Sequence, residues 1–135
     1  MARSAAPEVG FQVIVSSDNP VTTLTRDEAA RIFLKKMTRW KDGKEVVPVD
    51  QSSRSRVRAT FSEQVLAVEG LEKISAVENY WRQLIYSGRG NPPAVKNSDE
   101  EVRHFVANTS GAVGYVSTGA DVSGVKVVKV QETER

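Results

Sequence analysis

The chain has 135 residues, of which 39% are apolar and 27% charged, and a net charge of +2. That length suits one domain around one core, and the composition is that of a globular chain rather than a disordered one. There is no cysteine, which excludes disulfides, thiolate metal sites and a cysteine nucleophile, and no apolar run approaches the ~20 residues that span a bilayer.

The opening M-A-R-S-A-A-P-E-V-G lacks the apolar core of a signal peptide, so the chain is either cytoplasmic or has lost a leader. Residues 1–10 and 131–135 are expected to be flexible tails around a single domain at 11–130. Phe11 to Val15, F-Q-V-I-V, reads as a first strand, ended by the turn residues S-S-D-N-P. Leu24 to Met37 reads as a helix. Thr25 and Glu28 have capping-box spacing, and Ala29, Ile32, Phe33 and Met37 share a face. Asp27 and Arg31 form an i,i+4 pair. Lys41 to Lys44 is a tight turn, and Val46 to Val49 is a second strand, where Pro48 hints at a strand end or edge.

A serine-rich corner follows, Q-S-S-R-S-R-V-R from Gln51 to Arg58. Behind it, Val57, Phe61, Val65 and Val68 make one helical stripe, with Gly70 as a stop. Ser75 and Glu78 have the spacing of a second capping box, ahead of a helix with Val77, Tyr80, Trp81, Leu84 and Ile85 on its apolar face. Gly88 suits the left-handed position after that helix, and Ser87 to Pro93 is a loop. Ser98 and Glu101 form a third box before Val102, Phe105 and Val106. Gly111 to Val116, G-A-V-G-Y-V, is a strand whose glycines allow close backbone approach. Val125 to Val130 is the last strand. The order β-α-β-α-α-α-β-β argues for an α/β domain, a small mixed sheet flanked by helices.

The corner is the one constellation with chemistry in it. A helix begins with amides that lack intrahelical partners, and its dipole favours negative charge there. Ser52, Ser53 and Ser55 offer hydroxyls, and Arg54, Arg56 and Arg58 add positive charge. Serines in this position more often serve as helix caps. Residues 26–58 hold ten Lys and Arg against five Asp and Glu, whereas residues 62–101 hold four against seven. That basic half suits an anion, an acidic partner or nucleic acid. Few aromatics accompany it, which argues against nucleic acid. His104 is the one histidine and stands off the apolar face of its helix, so neither catalysis nor a transition-metal site is expected. No nucleophile elbow, P-loop or dinucleotide fingerprint is present, and no enzyme activity or cofactor is expected. Trp40 is read as a half-buried cap of the core, with a partner contact as the alternative.

Three stretches carry a family resemblance. Leu24 to Trp40, L-T-R-D-E-A-A-R-I-F-L-K-K-M-T-R-W, is similar to a segment of the form L-s-r-e-E-l-x-x-I-F-x-G-k-i-t-x-W. Val47 to Phe61 is similar to a strand and phosphate corner of the form V-x-R-x-x-G-S-G-T. Ser110 to Val116 is similar to P-G-A-I-G-Y-V. Together they resemble the substrate-binding proteins of bacterial phosphate ABC transporters, of the type II periplasmic binding fold. The resemblance implies a single lobe of that fold, a periplasmic location, and a non-catalytic role in binding phosphate or a similar oxyanion. The anion would be held by Ser52, Ser53, Arg54, Ser55 and Arg56. Ser55 matches the family's serine. Gln51 takes the arginine's place, Arg54 and Arg56 take the glycines' places, and Val57 takes the threonine's. The family's ligand lies between two lobes, and 135 residues suffice for one. The alternative is therefore a lobe without ligand, serving as a structural or accessory subunit of a cell-envelope complex, with an envelope protein or a second copy as partner.

Overall fold

The computed structural model describes residues 10–131. All but Gly10 and Gln131 of the expected tails lie outside those residues. Six strands form one sheet: β1 (Phe11–Ser16), β2 (Thr23–Thr25), β3 (Val47–Gln51), β4 (Ala94–Lys96), β5 (Ala112–Ser117) and β6 (Val125–Gln131). Their order across the sheet is β2-β6-β1-β5-β3-β4. β1 is antiparallel to both neighbours, with Val13 opposite Tyr115 on one side and Val128 on the other. β3 is parallel to β4 and to β5.

Alternation along the strands sorts side chains onto two faces. Val13, Val15, Val113 and Tyr115 join the larger core, under α1 (Arg26–Phe33), α2 (Arg56–Gln64) and α3 (Ile74–Tyr86). Ile14, Ala112 and Val116 join the smaller core with Val49, under Val102 and Val106 of α4 (Asp99–Ala107). Gly114 faces α4. A Cβ there would meet Val102 Cγ1 at 2.7 Å and Val49 Cγ1 at 2.8 Å, so the helix lies against bare backbone. Gly111 is tighter still. It has φ +82°, and a Cβ would fall 2.2 Å from the Glu45 carbonyl. Its own carbonyl accepts from Val47 N (3.0 Å) and from Trp40 Nε1 (2.9 Å). Trp40 is thereby a buried core residue, 5% exposed.

Local signals hold where the chain's own spacing decides. The Thr25–Glu28 box is present in both directions, at 3.0 and 2.9 Å. Asp27 and Arg31 pair at 3.4 Å. Gly70 and Gly88 take left-handed φ of 79° and 71°. Four expectations are corrected. The first helix spans Arg26–Phe33, not Leu24 to Met37, because its first residues pair with β6 as β2 and its end is a Schellman turn. Lys36 N bonds Arg31 O (2.8 Å) and Lys35 N bonds Ile32 O (3.1 Å), with Lys35 at φ 60°. Lys35 stands where the family pattern has its glycine. Lys35→Gly is therefore expected to stabilise the fold by about 1 kcal/mol, read as a higher urea midpoint with an unchanged slope.

Ser75 caps nothing, because α3 opens at Lys73 and places Ser75 inside the first turn. Val68 is 45% exposed, because the stripe ends at Val65 and a 3-10 turn, Leu66–Glu69, rotates it outward. Pro48 lies in an interior strand. It pairs with Val113 of β5, and pairing with β4 starts only at Val49, so the side without an N–H partner is locally open.

Among the described residues no helix is long and apolar enough to cross a membrane.

Candidate functional site at the serine corner

From β3 the chain runs through α2 and α3 on one face to β4 at the edge, then through α4 on the other face back to β5. The two connections leave the carboxyl ends of β3 and β4 on opposite faces of the sheet. Such switch points are where open α/β sheets leave a crevice for ligands. The serine corner, residues 52–55, leads from β3 into α2 at this place, and α4 starts beside it.

The crevice floor is filled by this chain's own groups. Gln51 is buried, and its Nε2 donates to Asp99 Oδ1 (2.8 Å) and to the Tyr115 carbonyl (3.0 Å). The same Asp99 oxygen accepts from Ser117 N at 3.1 Å. Ser55 sits at the N-cap of α2 but forms no side-chain cap; its hydroxyl instead donates to Gln51 Oε1 at 3.1 Å. Ser52 Oγ accepts from Arg54 N (3.3 Å), and the Ser52 carbonyl accepts from Ser55 N (2.9 Å), which fixes the turn. The expected helix cap is thus replaced by a clasp from Ser55 through Gln51 to Asp99.

Below the corner lies a buried charged cluster. Arg58 is 5% exposed; its Nε lies 3.2 Å from Asp50 Oδ1, and its Nη1 donates to Ser62 Oγ. The Tyr115 hydroxyl and Gln51 N also donate to Asp50 Oδ1. Burial pushes the Asp50 carboxyl up from the ordinary carboxylate range, and Arg58, the Tyr115 hydroxyl and the Gln51 amide pull against it. Burial, then the neighbouring carboxylate, hold the Tyr115 hydroxyl well above the usual tyrosine value.

The outer surface of the corner is different. Ser53, Arg54 and Arg56 are exposed, and Ser52 and Ser55 are half-buried. The amides of Ser53, Arg56 and Val57 have no acceptor among the described residues. Among the described residues neither Arg54 nor Arg56 makes an ion pair, and the first turn of α2 holds no acid. Among the described residues, the structure therefore brings Ser52, Ser53, the unpaired amides of Ser53 and Arg56 and the unpaired guanidinium groups of Arg54 and Arg56 to one turn, with the Val57 amide behind it on a buried residue. It separates them from Ser55, whose hydroxyl points its proton inward.

Asp50, Tyr115, Asp99 and the inward turn of Arg58 were not anticipated as parts of this site. One signal for Arg58 existed: it follows Val57 on the buried stripe and precedes Ser62 by four residues. His104 is exposed on α4, away from the corner. Tyr80 and Trp81 pack in the core as expected, with the Tyr80 hydroxyl donating to Leu34 O at 2.8 Å.

Comparison with known proteins follows the same line. A family described as a PBP superfamily domain matches residues 9–134. The phosphate-binding protein PstS of Bacillus subtilis (strain 168) is 27% identical over 131 residues, which is 87% of this chain and 37% of that protein. An ABC-type phosphate transport receptor from Vibrio cholerae superposes with a TM-score of 0.68 at 23% identity, over 93% of this chain and 47% of the receptor. A putative phosphate ABC transporter substrate-binding protein from Clostridium perfringens, solved with bound phosphate, gives 0.64 at 22% identity, over 90% and 44%. The chain thus spans less than half the length of each of these three proteins.

Proposed function

Because this chain belongs to the PBP superfamily, we propose that it is a non-catalytic binding lobe, and that the outer surface of its serine corner takes phosphate or a similar oxyanion in the cell envelope. The observation that carries this is the exposed turn whose Ser53 and Arg56 amides and Arg54 and Arg56 side chains have no partner among the described residues, ahead of the free amide of the buried Val57. Backbone amides at a helix start and flanking guanidinium groups are what an oxyanion needs. Relatives with a phosphate-binding name or title support the choice of ligand. Ser52 and Ser53 supply hydroxyls. Ser55 acts through Gln51, holding the turn in place.

One observation favours a second reading. Gln51, at the place of the family's arginine, spends both ends of its amide on Ser55, Asp99 and Tyr115. A corner locked in this way suits a structural or accessory subunit that has given up its ligand.

Thermal unfolding with phosphate, against chloride at matched ionic strength, separates the two. At 100 times its dissociation constant a ligand adds about 2.7 kcal/mol to the folded state, which for a domain of this size raises the midpoint on the order of 10 °C. The binding reading expects that shift, and expects Arg54→Ala with Arg56→Ala to remove most of it while leaving the ligand-free midpoint within about 2 °C. No shift at millimolar phosphate retires the oxyanion and leaves the scaffold.

A further inference from the structure

A groove of about 510 Å³ opens beside the corner, within the ~300–1,000 Å³ of sites that take small organic ligands. Ser52 and Ser53 line it, and the Ser53 amide is one of the three without an acceptor among the described residues. Its walls are apolar where Val77, Trp81, Ile85, Pro92 and Val95 contribute. Ile85 and Val95 are 52% and 56% exposed, so the apolar wall faces solvent.

The charges are arranged unequally. Inside the groove Asp50 is balanced by Arg58 at 3.2 Å. Glu78 and Arg82, the other charged lining residues, are also one of each sign. The groove itself therefore carries no net charge, and the excess positive charge lies outside it, on Arg54 and Arg56. An anion belongs at the corner, and an uncharged body belongs in the groove. Inorganic phosphate would leave that wall wet.

We infer that the site is built for an organic phosphate monoester, with its phosphoryl group on the corner amides and an apolar or aromatic group laid along Ile85, Val95 and Trp81. This deepens the oxyanion reading and rests on it.

The test is calorimetric titration of the whole chain with inorganic phosphate and with phenyl phosphate, at one ionic strength. Phenyl phosphate is expected to bind at least about tenfold tighter, the factor one well-buried apolar contact supplies. The variant Ile85→Gln with Val95→Thr changes two exposed side chains, so it folds as the parent does, and an unchanged unfolding midpoint verifies that. It is expected to abolish the preference while keeping the affinity for inorganic phosphate. Equal affinities in the parent chain, or a preference that survives the double variant, overturn this inference and leave the phosphate reading standing. Absence of binding by both ligands overturns the two together.

Discussion

Arg58→Ala should destabilise the chain by about 3–5 kcal/mol, the range seen when one partner of a buried ion pair is removed. Arg58 is 5% exposed and is the only cation among the described residues in ion-pair distance of Asp50. Without it, the carboxylate keeps only the Tyr115 hydroxyl and the Gln51 amide, in a place where burial already opposes its charge. Ser62 Oγ, fully buried, loses its donor as well. The measurement is urea unfolding at neutral pH. A companion variant, Arg58→Met with Asp50→Asn, removes both charges and keeps the volume, and should recover more than half of the loss. A cost under about 1 kcal/mol for Arg58→Ala would mean the pair is solvated and the cluster is not a structural unit.

Phe61→Ala should cost a similar amount, about 3–5 kcal/mol, for a different reason. Its ring stacks on Tyr115 at 4.0 Å between centroids and meets Phe33 edge-on at 4.7 Å and Phe11 at 5.3 Å. Those partners come from β5, α1 and β1, so one ring ties α2 to three other elements. Truncation removes the buried area and leaves a cavity that aromatic neighbours cannot collapse into. Phe61→Leu refills most of that volume and should cost roughly 1–1.5 kcal/mol. Equal losses for the two variants would show that ring geometry, not volume, sets the packing here. Both this change and Arg58→Ala loosen α2 against the sheet, so under the binding reading both should weaken phosphate binding at the corner, which Arg58 touches through its amide to the Ser55 carbonyl (3.2 Å).

Much of this fold was legible because its signals are local. Thr25 and Glu28 cap a helix by their spacing alone, and Gly70 and Gly88 end helices because the left-handed conformation suits them. Ser75 and Glu78 show the same spacing and fail. Where the chain enters α3 was decided by the docking of Val77 and Trp81, which tertiary packing sets. β2 and β4 escaped notice because three residues are too few to alternate, and Ala94 and Val95 are exposed, so no apolar period marks them. The serine corner was legible as a turn with hydroxyls and charge. What Gln51 and Arg58 do there was not, because Gln51 answers to Asp99, 48 residues away, and Arg58 shares Asp50 with Tyr115, 65 residues from it. No spacing rule reaches that far along a chain.

The sheet's central strand carries a consequence for how the chain is made. β1 pairs on one side with residues 113–117 and on the other with 125–128, roughly a hundred residues further along the chain. Synthesis at ~5–20 residues per second separates β1 from its partners by roughly 5–20 s. During that interval F-Q-V-I-V has neither neighbour nor core, and contacts of such long sequence separation are slow to form even afterwards. An extended apolar strand left waiting is a template for pairing with another nascent chain. Cells that make this protein must keep β1 apart from its copies until β5 and β6 arrive.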